Sequence, residues 1–151
     1  MSTRYLRGLG DTNILIYAID SSEGAKHTLA SKILLRAAMS RQPLMLQSLN
    51  EFSAVVRKKR LMSLTTLKKI IDYHRSTFVL EPPVVEDLLD ALQANEDHKL
   101  PIWDALLWAT ARRAGCHIIF SEDFQDGREL GGVRFINPFK LSRRELRDFV
   151  L

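Results

Sequence analysis

Short apolar segments alternate along this chain with longer stretches of helical periodicity, and that alternation constrains the fold more than any other feature. Five segments read as strands: Tyr5–Gly10, Leu44–Gln47, Thr77–Leu80, His117–Ser121 and Val133–Ile136. Between and after them, Ala25–Ser40, Asn50–Lys59, Leu64–Arg75, Val84–Asn95, Pro101–Ala114 and Ser142–Phe149 read as helices. Most carry apolar residues three or four apart, such as Leu29, Ile33 and Ala37, or Leu88 and Leu92. Gly115 closes one helix before the apolar strand that follows it. Strands alternating with helices argue for an α/β fold: a mostly parallel central sheet of four to five strands flanked by helices, an α/β/α sandwich. In such sheets, sites form at the carboxyl ends of strands. The first strand is the weakest, because Arg7, Gly8 and Gly10 interrupt it.

At 151 residues the chain suits one domain spanning 1–151, with 139–151 a basic C-terminal helical tail. Ser142 and Glu145 have the spacing of a capping box for that last helix. An apolar share of 46% and a charged share of 26% exclude a disordered or collagen-like chain. The lone cysteine, Cys116, cannot form an internal disulfide or a thiolate metal site, and it reads as a small buried residue. The longest apolar run near the start, Ile14 to Ile19, is too short for a membrane span, and the first residues lack a signal-peptide core. These features lead us to expect a cytoplasmic protein with no membrane partner.

The charge of +4 conceals an uneven distribution. Glu81, Glu86, Asp87, Asp90, Glu96 and Asp97 fall in one stretch with no lysine or arginine, which reads as a solvated helix. Outside it, 22 basic residues face 12 acidic ones, a weak sign of a polyanionic partner. Four other acids stand in less usual company. Asp11 follows the first strand, Glu51 opens the helix after the second, and Asp123 follows the strand ending at Ser121. Asp104 is the one charge in Leu100–Ala111. Each has a purely structural reading. Asp11 can cap a helix starting near Thr12, and Asp123 a short helix Phe124–Leu130. Ser48 and Glu51 fit a capping box, with Glu51 bonded to the Ser48 amide. Asp104 can favour a helix dipole just after Pro101. Together, however, the four fall on one edge of a parallel sheet, where they would repel unless a cation joined them. An oxygen-only set suits Mg²⁺ or Mn²⁺ rather than zinc. Such a site suits hydrolysis of a phosphodiester by metal-activated water.

Asp11-Thr12-Asn13 after a first strand, Glu51 on an early helix, Leu100-Pro101-Ile102-Trp103-Asp104-Ala105 and Ile119-Phe120-Ser121-Glu122-Asp123-Phe124 resemble the PIN-domain ribonucleases. Within them, the pattern is similar to the VapC-like toxins of type II toxin–antitoxin pairs. The resemblance spans about Asp11 to Pro138. It implies that Asp11, Glu51, Asp104 and Asp123 are the catalytic metal ligands or their close supports, and that Thr12, Asn13 and Ser121 orient them. It implies a Mg²⁺- or Mn²⁺-dependent endoribonuclease acting on RNA, a homodimer, and a small antitoxin partner. Asp126 and Asp20 are nearby alternates that match no family position.

Arg57, Lys58, Lys59 and Arg60 follow Glu51 on the same expected helix and read either as a grip on RNA phosphates or as cations favoured at a helix end. Arg112 and Arg113 fit the helix-end reading better still. The four histidines are scattered with no ligand spacing. Trp103 and Trp108 read as core, five residues apart and so pointing differently, one inward and one toward a subunit interface. No helix-turn-helix or zinc-finger spacing is present, so DNA binding by this chain alone is not indicated. The competing function is a Mg-binding receiver-like module, or a catalytically inactive PIN-fold interaction module. A receiver needs an acid pair near the first strand and a late lysine, and a haloacid-dehalogenase-type phosphatase needs Asp-x-Asp where this chain has Asp11-Thr12-Asn13.

Overall fold

The computed structural model describes residues 8–122 and 126–149. β1 (Gly8–Gly10), β4 (Ile118–Phe120) and β6 (Val133–Ile136) form a parallel sheet, and β5 (Glu129–Leu130) adds an antiparallel edge, in the order β1-β4-β6-β5. The glycine-broken first strand does form: Gly8 pairs with Ile118 and Gly10 with Phe120. Of the strand Tyr5–Gly10 expected from the sequence, residues 5–7 lie outside the described residues. β2 (Pro43–Met45) and β3 (Val79–Glu81) pair in parallel with each other as a separate ladder. The single sheet of four to five strands expected from the sequence is therefore divided. Each of these two strands is three residues long, and β2 runs directly into a helix at Leu46.

The helices are α1 (Thr12–Ile19), α2 (Ala25–Met39), α3 (Leu46–Lys59), α4 (Leu64–Thr77), α5 (Val85–His98), α6 (Ile102–Arg113) and α7 (Arg143–Phe149). β4 shows why both faces of the sheet are covered. Ile118 and Phe120 join Ile14, Ile33 and Ile136 in one apolar cluster, while Ile119 joins Leu15, Phe52 and Phe135 in the other. Alternate residues of a strand point to opposite faces, so a strand apolar at every position needs cover on both. Gly115, at φ 81, makes the left-handed turn between α6 and β4 that glycine favours. The expected capping box at α7 is formed: the Ser142 amide donates to Glu145, and the Glu145 amide to Ser142 Oγ. Among the described residues no helix is long and apolar enough to cross a membrane.

α5 departs from its expected orientation. Leu88 and Leu92 are exposed, and the inward face is Asp87, Ala91 and Ala94. Small side chains there let α5 lie close against α6, and the leucines face out. Asp87, only 2% exposed, is thus no solvated acid. It accepts from the Val84 amide, from Thr110 Oγ1 at 3.1 Å, and from Arg113 Nε at 3.0 and 3.1 Å. Arg113 is correspondingly a structural partner of α5 rather than a solvated helix end. Burial pushes the Asp87 carboxyl up, but the Arg113 guanidinium and the Val84 amide outweigh it and hold the carboxyl below its ordinary value.

Candidate active site

The carboxyl ends of β1 and β4 lie side by side. The Asp11 amide donates to the Phe120 carbonyl at 2.9 Å, carrying the ladder one residue beyond β1. The chain then turns into α1, whose N-cap is Asp11 in extended backbone geometry. One Asp11 oxygen, Oδ1, accepts the Thr12 amide at 2.7 Å, as the capping reading anticipates. The other, Oδ2, accepts the hydroxyl of Ser121 at 2.9 Å. Ser121 stands one residue past β4 and is buried, as is Asp11. Asn13 follows in the first turn of α1, half-buried.

Glu51 arrives from α3, but not as a cap. α3 begins at Leu46, so Ser48 already lies inside the helix, fully buried, and Glu51 occupies the second turn. Its carboxylate instead accepts the Thr12 hydroxyl at 2.8 Å and the Gln47 side-chain amide at 3.0 Å. Thr12 therefore joins the two acids, with its backbone on Asp11 and its side chain on Glu51. Gln47 extends the connection, because the same nitrogen donates to the Trp103 carbonyl at 2.9 Å in the first turn of α6. Asp104 is the next residue, half-buried. The ends of β1, α3 and α6 are in this way stitched together around three of the four acids. Asp123 lies outside the described residues. Residues 126–130 of its expected helix form a turn and β5 instead.

Several contributors escaped the sequence reading. The sequence pattern places Gln47 at the end of the expected strand Leu44–Gln47, whereas α3 already begins at Leu46. With the true helix start it is four residues before Glu51, the spacing at which helical side chains meet. Glu122, beside Ser121, accepts both the Tyr17 hydroxyl and Lys26 Nζ at 3.1 Å. Lys26 also lies 5.0 Å from the Tyr17 ring centre and 5.5 Å from that of Phe139. Burial, then its bond to Glu122, raises the Tyr17 phenol, and the Glu122 hydrogen bond raises the Lys26 ammonium. The alternates Asp20 and Asp126 are occupied locally. Asp20 accepts from Ser22, whose hydroxyl holds its carboxyl low, and Asp126 accepts the Asn137 amide. Trp108 is core, with its indole N–H on the Leu130 carbonyl, whereas Trp103 is exposed, against the core reading. Arg57, Lys58, Lys59 and Arg60 are exposed at the far end of α3. Cys116 is buried as expected.

The donor set suits a hard cation. It is oxygen-only, and among the described residues no lysine or arginine forms an ion pair with Glu51. Among those same residues no three acids, histidines or cysteines converge closely enough to hold an ion by themselves.

Comparison with known proteins follows the same lines. The PIN-domain family model matches residues 9–126. No curated protein matches the chain in sequence. Among solved structures, the Mycobacterium tuberculosis VapC20 toxin, described as cleaving the sarcin–ricin loop, is 16% identical with a TM-score of 0.58, covering 77% of this chain and 91% of that one. A toxin–antitoxin complex from Klebsiella pneumoniae is 21% identical with a TM-score of 0.59, covering 83% and 94%. FitAcB from Neisseria gonorrhoeae is 15% identical with a TM-score of 0.55, covering 89% and 99%. At these identities the likeness is one of fold.

Proposed function

The chain belongs to the PIN-domain family, and we propose on that basis that it is a metal-dependent endoribonuclease, the toxin of a type II toxin–antitoxin pair. The observation that carries the reading is Thr12, which ties Asp11 to Glu51 at the carboxyl edge of the sheet. Asp11, Glu51, Asp104 and Asp123 would hold Mg²⁺ or Mn²⁺, with Thr12, Asn13 and Ser121 orienting them. When bound, such a cation supplies a water of lowered pKa and stabilises charge on the phosphoryl oxygens. The protein's own part is positional. Thr12 and Ser121 keep two carboxylates from rotating, and Gln47 fixes the start of α6 relative to Glu51. Water adds to phosphorus, the P–O3′ bond breaks, and the products carry a 5′-phosphate and a 3′-hydroxyl.

RNA reaching this edge can also meet Arg57, Lys58, Lys59 and Arg60, which lie roughly 9 to 14 Å along the axis of α3 from Glu51 at 1.5 Å per residue. The chain acts as one domain, 1–151, with its basic tail at 139–151, and as a cytoplasmic homodimer. The toxin–antitoxin complex from Klebsiella pneumoniae among the structural relatives supports a small antitoxin as its protein partner. The test is cleavage of mixed RNA with Mg²⁺ or Mn²⁺, against EDTA and against Asp11→Asn and Asp104→Asn. Loss of cleavage in EDTA and in both variants, with 5′-phosphate ends from the wild type, is the expected result. Cleavage equal to wild type in both variants, or 2′,3′-cyclic phosphate ends, would overturn the mechanism. RNA binding without cleavage would favour the inactive interaction module.

A further inference from the structure

Trp103 is 67% exposed, while Trp108 on the same helix is 5% exposed. An indole offers more apolar surface than any other side chain, and leaving it in water forgoes that burial. Yet its root is held firmly. The Trp103 carbonyl receives the Gln47 amide that also donates to Glu51, and Asp104 is its immediate neighbour. The Ala105 amide closes the first turn onto the Pro101 carbonyl at 2.8 Å. A flat, solvent-facing ring is thus carried on backbone held beside two of the acids. The core faces of α6, through Ala105, Leu107, Trp108 and Ala109, are filled without it.

Resting on the nuclease reading above, we propose that Trp103 is the stacking platform for an unpaired base of the RNA next to the scissile phosphate. Two properties favour a base as the occupant. Specific recognition of RNA targets single-stranded segments whose bases can be splayed out, and a splayed base stacks on an aromatic face. Stacking also tolerates any base, because all have a π-face, so a single ring at the site can hold the strand without a hydrogen-bonding code. Trp103 acts on binding and site choice, not on the chemistry.

The test separates KM from kcat. Trp103→Ala should raise KM for a single-stranded RNA roughly 5- to 100-fold with kcat within about twofold, and Trp103→Phe should restore most of the loss. A second readout needs no turnover. In the Asp11→Asn background, a ten-nucleotide single-stranded RNA should quench tryptophan emission, and adding Trp103→Phe should abolish the response, because buried Trp108 is left as reporter. If wild type cleaves RNA but Trp103→Ala leaves KM and the cleavage map unchanged, the inference falls and the nuclease reading stands. If wild type fails to cleave but the quench is present and lost with Trp103→Phe, the nuclease reading falls and base stacking stands. A Trp103→Ala variant that elutes at half the wild-type mass would overturn the inference by making the ring a subunit contact.

Discussion

Replacing Thr12 by valine removes one hydroxyl and little else, and the hydrogen bonds around Thr12 set how much should follow. The backbone amide that bonds Asp11 is untouched, so the cap of α1 survives. What disappears is the 2.8 Å donor to Glu51, leaving Gln47 as the other described donor to that carboxylate. A hydrogen bond to a charged group contributes about 1.5–3 kcal/mol, and groups that orient metal ligands typically carry 10- to 100-fold in activity. At about 1.4 kcal/mol per tenfold the two figures agree. Thr12→Val should therefore lower kcat roughly 10- to 100-fold with little change in KM. Melting should fall by about 3 to 12 °C, since the same bond contributes about 1.5–3 kcal/mol and each kcal/mol shifts a domain of this size by about 2–4 °C. Thr12→Ser keeps the hydroxyl and should stay within several-fold of wild type. The assay is initial-rate RNA cleavage for wild type, Thr12→Val, Thr12→Ser, Glu51→Gln and the Thr12→Val/Glu51→Gln double variant. If Thr12 works through Glu51, the double variant should be no slower than Glu51→Gln alone. Fully multiplicative losses, or a serine variant as slow as the valine one, would refute the reasoning.

Arg113→Met strips Asp87 of two of its four hydrogen bonds while the carboxylate stays buried. Breaking a buried pair costs about 3–5 kcal/mol, and because the Arg113 side chain is 36% exposed, water replaces part of it, so about 2–3 kcal/mol is expected in urea unfolding. Asp87 has a lowered pKa, so its stabilisation is present above the unfolded value near 4 and is lost as pH falls through the folded one; wild type and variant should converge in strong acid. His74 is buried, and burial lowers its pKa, so the unfolded chain binds its proton first and stability should fall as pH drops below about 6.5. His74→Phe should flatten that acid limb of melting temperature against pH, and an unchanged slope would exclude His74 as its source. Adding Mg²⁺ at about 100 times its dissociation constant should stabilise the fold by about 2.7 kcal/mol in calorimetry. Asp11→Asn should abolish most of that gain and leave the metal-free protein no less stable, because repulsion among the acids eases.

The alternation of strands and helices was legible because it rests on burial periodicity, which β4 and α2 display plainly: Ile118-Ile119-Phe120 is apolar throughout, and Ile33 and Ala37 face inward. Where the reading failed, the same letters served two structures. Ser48-Leu49-Asn50-Glu51 spells a capping box, but the spacing is equally that of two helical neighbours. Only the pairing of β2 with β3 reveals that the strand stops at Met45 and the helix is already under way. In α1, Ile14-Leu15-Ile16-Tyr17 carries no clear period, because Ile14 and Leu15 feed two different apolar clusters. In α5 the leucines point outward and a carboxylate inward. The partner that makes this tolerable, Arg113, is 26 residues away and invisible to a local pattern.

The acids show how a structural and a functional reading can both hold for one residue and exclude each other for the next. Asp11 caps its helix with Oδ1 and takes Ser121 with Oδ2, so the cap itself fixes the carboxylate at the sheet edge. The conformational cost of orienting that acid is borne by an interaction the fold needs anyway. Glu51 has no such duty, since its helix began five residues earlier. A half-buried carboxylate with no capping role still requires donors, and Thr12 and Gln47 supply them from two elements. Asp11→Asn can keep the cap through its carbonyl oxygen and turn its amide toward the Ser121 hydroxyl, and Glu51→Gln can likewise accept from Gln47 and donate to the Thr12 hydroxyl. Both variants should therefore fold with melting temperatures close to each other, and a Glu51→Gln melting point far below that of Asp11→Asn would show that Glu51 is oriented by something other than Thr12 and Gln47.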